Sequence, residues 1–250
     1  MPHHPPTASL PENTGLAFRG EAAWAPAALT GREAAALRRA RNPTGRPNDD
    51  VLRRHVGVSA GREVHRWQID FPAHFTAQEA ALYEKPFARL TARAGDGWRN
   101  PHANAALRAA VARLERYLAT PADAEEPAFV WLDVADLPDD SLLIVARDDD
   151  FTQGVLDSRA FAVWWRECPA ARTPTRFVET FPFPWPPHTP LGSLTRAQEE
   201  HRHAVARAAR NGDAEALDAA VAVAYGWPAD LGDGELLARL RELHTQRAGG

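Results

Sequence analysis

The sequence predicts an α+β fold: a body of strands and helices running to about residue 190, then a small helical tail over 191–250. Three observations carry that expectation. Capped helical stripes occupy much of the first half, strand-like apolar runs crowd residues 128–149, and the last fifty residues repeat helix patterns with their own start and stop signals. With 250 residues, 44% hydrophobic content and 8 Trp, the chain has material for a substantial core.

The elements follow in order. Residues 1–11 are rich in Pro and His, His3 and His4 included, and are expected to be disordered. In "LTGREAAALRRAR" Thr30 precedes Glu33 by three, a capping box that opens a short helix, and "NPTGRPNDD" (42–50) ends it with turn residues. "REVHRWQIDF" alternates, putting His65, Trp67, Ile69 and Phe71 on one face of a strand. Thr76 and Glu79 repeat the capping box, and Pro86 is expected to end or bend that helix. "NPHANAALRAAVARLERYL" reads as one long helix with Asn100 as cap and a Leu107, Val111, Leu114, Leu118 stripe.

Beyond it, "AFVWLDV" (128–134), "SLLIVARDD" (141–149) and "TQGVL" read as strands. "DSRAFAVWWREC" reads as a helix capped by Asp157, with Phe161, Trp164 and Trp165 inward. "TPTRFVETFPFPWPP" is too Pro-rich for a helix and is expected to be an extended ribbon, its Phe177, Phe181, Phe183 and Trp185 packing where the body meets the tail. The tail holds a helix opened by Thr195 and Gln198, a second stopped by Gly226, and a last one over "DGELLARLRELHTQ". There is no internal repeat.

Composition narrows the function. No apolar run is long enough to span a bilayer and the start lacks a secretory pattern, so a cytoplasmic protein without a membrane partner is expected. The single cysteine, Cys168, excludes an internal disulfide framework and a multi-cysteine metal site, and with no local His partner reads as an incidental thiol. A net charge of -4 does not suit a generic nucleic-acid coat. The charge is uneven, however: between Arg32 and Arg66 nine Arg face four acids, while acids gather at 122–127 and 137–150. Lys85 is the one lysine; GC-rich codon bias accounts for such a balance, and guanidinium forks equally suit phosphates and guanine edges.

A catalytic centre does not assemble. "GDGW" (95–98) and "GDGE" (232–235) do not follow strands as a cofactor turn would, and a lone lysine leaves no Walker motif. Tyr83 stands where a nuclease acid would have to precede Lys85. "RDDD" (147–150) puts adjacent carboxylates on opposite faces of a strand, which reads as a solvated strand end. His201 and His203, two apart on a helix, do not face each other.

Three ordered stretches are more specific. "NPTGRPNDDVLRRHVG" (42–57), "WQIDFPAHFTAQEAALYEKPF" (67–87) and "VARDDDFTQGVLDSRAFAVWW" (145–165), running on into the ribbon, resemble the target-recognition region of the MmeI-like DNA methyltransferases of type IIG/IIL restriction–modification systems. "LDAAVAVAYGWPADLGDGELLARLREL" (217–243) is similar to that family's C-terminal helical piece, so the resemblance covers roughly residues 12 to 245. Residues 201–215 depart from it, being shorter and lacking a Tyr-Asn-Glu-Arg-Pro-like stretch.

The resemblance implies a mixed-sheet target-recognition domain over 12–190 and a helical subdomain over 191–250. It also implies a division of labour. The family's Asn/Asp-Pro-Pro-aromatic loop for the extruded adenine has only incomplete counterparts here, at Asn42-Pro43-Thr44 and Asn100-Pro101-His102, which lack the second Pro and the aromatic, and its Gly-containing cofactor turn has none. The expectation is therefore a specificity module without catalytic site, cofactor or nuclease. Double-stranded DNA and an adenine-specific methyltransferase domain or subunit would be its partners, with S-adenosylmethionine on that partner. Arg46, Asn48, Arg53 and Arg54 are the first candidate DNA contacts, Asn48 being suited to a bidentate adenine contact. Thr152, Gln153, Ser158 and Arg159 form a second group. Phe181, Phe183 and Trp185 would face the methyltransferase, some of them bare in its absence. Two other readings stand beside this one: a protein–protein interaction module using the aromatic ribbon and the Leu-rich tail, and an idle remnant of a broken gene.

Overall fold

Local capping chemistry sets most helix starts. In the computed structural model, which describes residues 8–59, 62–167 and 173–249, Thr30, Thr76 and Thr195 each accept the backbone N–H three residues on. Glu33, Glu79 and Gln198 return the bond in all three cases. The first half of the chain forms β1 (Ala17–Arg19), β2 (Ala28–Leu29), α1 (Gly31–Arg39), β3 (Leu52–Ser59), β4 (Arg62–Ile69), α2 (Ala77–Ala81), α3 (Glu84–Ala94) and α4 (Ala105–Val111). There follow β5 (Arg116–Pro121), β6 (Val130–Asp133), β7 (Leu137–Pro138), β8 (Leu142–Val145), α5 (Asp150–Leu156) and α6 (Arg159–Glu167). The chain closes with α7 (Thr175–Glu179), α8 (Arg196–Asn211), α9 (Ala214–Tyr225) and α10 (Asp233–Ala248). The fold is α+β, as the sequence predicts.

Two compact units divide these elements. One comprises residues 1–19, 106–132 and 143–250. Its sheet runs β1-β8-β5-β6, with β1 antiparallel to β8 through Phe18 opposite Ile144. All four residues of β8 are buried, as befits a strand covered on both faces. Leu118, Leu143, Phe161, Trp164, Val205, Leu217 and Leu240 share one core. The C-terminal helices α8–α10 therefore belong to the same packed body as this sheet, and a separate subdomain beginning at 191 is not how the chain divides. The predicted disorder is also too long. Leu10 is fully buried and Pro11–Asn13 form a 3-10 turn, while His3 and His4 lie outside the described residues, as does Cys168.

The other unit comprises residues 20–105 and 133–142. Its sheet, β2-β4-β3-β7, is mixed: β3 is antiparallel to β4, with Arg54 opposite Trp67, and parallel to β7. Leu52, Ile69, Ala80, Leu90 and Trp98 form its core, with Phe71 set edge-on to Trp98 at 5.6 Å. Two glycines permit a close approach here. A Cβ on Gly57 would lie 1.7 Å from Asp139 Oδ2, and one on Gly20 would lie 2.0 Å from the Asp139 carbonyl oxygen.

Several expected elements differ, each for a tertiary reason. The long helix over 100–118 stops at Val111, and Leu118 lies instead in β5, fully buried in its sheet. Asn100 does not cap α4; its side chain accepts the His102 N–H in a local turn. "TQGVL" is helical, not a strand, because Gly154 lets α5 press close: a Cβ there would meet Val205 Cγ1 at 2.8 Å. Asp157 closes α5 rather than opening α6, its N–H returning to the Gln153 carbonyl at 2.8 Å. The ribbon begins with the single turn of α7 before becoming irregular. Pro86 neither ends nor bends a helix: it occupies the first turn of α3, where its missing N–H is harmless. β3, the longest partner of β4, has no counterpart among the expected elements.

Candidate nucleic-acid interface

The first predicted group is mostly engaged in holding its unit together. Asn48 is 1% exposed. Its Nδ2 donates to the Leu37 carbonyl at 2.8 Å and the Ala40 carbonyl at 3.1 Å, and its Oδ1 accepts from Asn42 Nδ2 at 2.7 Å. It thus adds a second bond to the Leu37 carbonyl, which already accepts the Ala40 N–H, and supplies a donor to the Ala40 carbonyl at the end of α1. A buried amide so bonded does not present its edge to adenine, and Asn48 is a structural residue. Arg53 Nη2 donates to the Val134 carbonyl at 2.8 Å, while its Nε is buried without a partner. Arg54 lays its fork on Asp136, with Nε to Oδ1 at 2.7 Å and a second, shorter contact beside it. The Asp136 carboxylate is almost fully buried and raises the guanidinium pKa further above its ordinary value. Arg46 alone of the group is exposed, beside Tyr83.

The second group is an interlock of helix ends. Thr152 is 2% exposed, and both its N–H and its hydroxyl donate to Asp149, at 2.8 and 2.9 Å. Gln153 Oε1 accepts from Trp131 Nε1 at 2.9 Å. The Ser158 hydroxyl is buried and donates to the Val155 carbonyl at 2.7 Å. Arg159 uses its backbone N–H on Asp218 Oδ1 at 2.8 Å, so α9 supplies an acceptor for the first turn of α6. Its side chain bonds Asp233 Oδ1 at 2.7 Å and the Leu231 carbonyl. Arg166 joins the same carboxylate, and the two cations hold Asp233 below the usual carboxylate range. Thr152 and Ser158 are structural; Gln153 and Arg159 keep partial exposure but already have partners.

The ribbon is not bare. Phe181, Phe183 and Trp185 are 0%, 1% and 7% exposed. Phe181 meets Phe161 edge-on at 5.0 Å, and Trp185 stacks on Phe151 at 4.6 Å. Its carbonyls are held from both sides: Asn13 Nδ2 donates to Val178 and Phe181, Tyr225 Oη to Pro182, and Arg247 Nη1 to Phe183. These aromatics are core, and the expectation that they form an open partner interface is corrected.

A different surface of the smaller unit has the geometry for a polyanion. His65, Arg66 and Trp67 of β4 line a cleft with β2, the start of α1 and Arg93 of α3. Trp67 is half-buried, and the Arg38 guanidinium lies 4.0 Å from its ring centre. Arg38 also pairs with Asp49 at 2.5 Å. Among the described residues Glu33 is the one carboxylate on the cleft wall. The Thr30 backbone N–H, Arg89 and the Thr30 hydroxyl hold its pKa down at about 2. The sequence signal for this surface was the alternation that put His65 and Trp67 together within the Arg-rich segment.

Among the described residues no group of His, Cys, Asp or Glu could hold a metal ion, and no helix is long and apolar enough to cross a membrane. Neither a protein-family model nor a curated protein matches the chain. A solved structure does: the type IIL restriction-modification enzyme MmeI in complex with DNA, with a TM-score of 0.60 at 15% identity. The match covers 99% of this chain and 37% of that enzyme, so the chain spans little more than a third of its length. At that identity the likeness establishes the fold alone: along nearly its whole length, the chain is folded like one portion of that enzyme.

Proposed function

We propose that this chain is a DNA sequence-recognition module of an adenine-N6 DNA methyltransferase of the restriction–modification type. It would act with a separately encoded methyltransferase or as a part of a longer one. The observation that carries the reading is the fold likeness over 99% of the chain to an enzyme solved on DNA, and the resemblance of three ordered sequence stretches to a target-recognition region supports it. Methylating a base requires flipping it from the stack, and selecting that base requires neighbouring edges to be read separately, so recognition and catalysis divide naturally between domains. The S-adenosylmethionine site belongs to the methyltransferase in this reading. The surviving exposed members of the predicted contacts, Arg46 first, would supply phosphate anchoring rather than base reading.

The chain alone is expected to bind duplex DNA weakly and with strong salt dependence, and to acquire sequence preference when a methyltransferase of this group is added. A gel-shift comparison of specific and scrambled duplexes, with and without that enzyme, tests this. Equal binding to every duplex in its presence would sink the proposal. The interaction-module reading loses one of its two motivating features, because Phe181, Phe183 and Trp185 of the ribbon are buried.

A further inference from the structure

The cleft beside β4 has an unusual electrostatic imbalance. β2 pairs only with Trp67 and Gln68, so among the described residues the same edge of β4 carries no strand neighbour from Val64 to Arg66. At that open edge Arg66 and His65 are exposed, and their side chains make no hydrogen bond or ion pair among the described residues. Arg93, also exposed, donates from Nη1 to the Ala28 carbonyl at 3.2 Å, a contact that orients the guanidinium without neutralising it. The facing acid, Glu33, is engaged by Arg89 at 2.5 Å and by the Thr30 cap, so it does not balance these cations. Glu63, exposed on β4 and on the same face as His65, lies toward the hairpin tip, where its charge acts on Arg54. The cleft's volume of about 600 Å³ is far more than a single ion needs.

We infer that this cleft docks the phosphodiester backbone of the DNA, with Arg66 at the open edge of β4 and Arg93 of α3 taking phosphates. The inference rests on the DNA-recognition reading and adds to it the surface and the chemistry of contact. Two features fit a polyanion better than a protein partner. The cations lack local counter-charges, and guanidinium forks match phosphate geometry. A charged strand edge also discourages edge-to-edge pairing. That role alone would leave DNA affinity independent of Arg66.

The test uses the full chain and a fluorescent duplex of random sequence, with affinity followed by anisotropy across a salt series. Arg66→Gln keeps the side-chain stem, and because the guanidinium has no partner its thermal midpoint should match the parent's. Arg66→Gln is expected to weaken binding several-fold and to reduce the salt slope by about one, the signature of one lost phosphate contact. Arg66→Glu should weaken it further. Arg207→Gln, on the exposed side of α8 and also without an ion pair among the described residues, should change neither quantity. If the parent binds and both Arg66 variants keep its affinity and slope, the cleft is not the docking surface and the recognition reading stands without it. If the parent does not bind duplex even at low salt, the recognition reading itself fails and takes the inference with it.

Discussion

The Asn48 amide donates to two carbonyls at the end of α1 and accepts from Asn42, so Asn48→Ala removes three hydrogen bonds at once and leaves the buried Asn42 amide one partner short. A loss of about 2–3 kcal/mol is expected in urea unfolding, and an unchanged midpoint would contradict the role assigned to it. Gly57 is constrained by space instead. A methyl group placed on it overlaps the Asp139 carboxylate, which Ser141 holds through its N–H at 2.9 Å and its hydroxyl. Gly57→Ala should lower the thermal midpoint, whereas Gly31→Ala, with open space around it, should not. Glu33 gives a pH signature. Its folded pKa is depressed to about 2 from 4.5, so its contribution is complete above 4.5 and is lost as pH falls through about 2. The stability difference between the parent and Glu33→Gln should therefore shrink over that window, and a difference constant with pH would remove the assignment. At this scale the candidate site was only partly legible. Arg54 lies 82 positions from its partner Asp136, and no spacing rule connects them.

Elements whose causes are local were legible. The capping boxes at Thr30, Thr76 and Thr195 and the left-handed Gly226 at the end of α9 each depend on residues within one turn. Elements whose causes are distant were not. Leu114 and Leu118 continue a helical spacing by coincidence, while the sheet between β8 and β6 claims Leu118 for β5. Gly154 weakens α5 in isolation and is required only because α8 and α9 press against it. The ribbon shows the same logic. Its prolines predicted an extended path, but its aromatic burial depends on helices that follow it by many residues. Phe181→Ala should cost about 3–5 kcal/mol, as expected for emptying a fully buried aromatic site beside Phe161, Trp164 and Phe183. Near-parent stability would mean that the ribbon is peripheral after all.

Over the whole molecule, the net charge of -4 concealed an Arg-rich segment whose members divide into two kinds. Some, like Arg53 and Arg54, are fasteners within the fold; others, like Arg46 and Arg66, stay exposed and available to a polyanion. Sequence order exposed the segment, and only the packed structure separates the two kinds. The central claim is that this fold reads DNA sequence on behalf of an adenine methyltransferase. Selection from a pool of randomised duplexes by the full chain, together with a methyltransferase of this group, tests it most directly. Enrichment of one short motif containing an adenine, abolished when this chain is omitted, is the predicted result. A recovered pool indistinguishable from the input would contradict it.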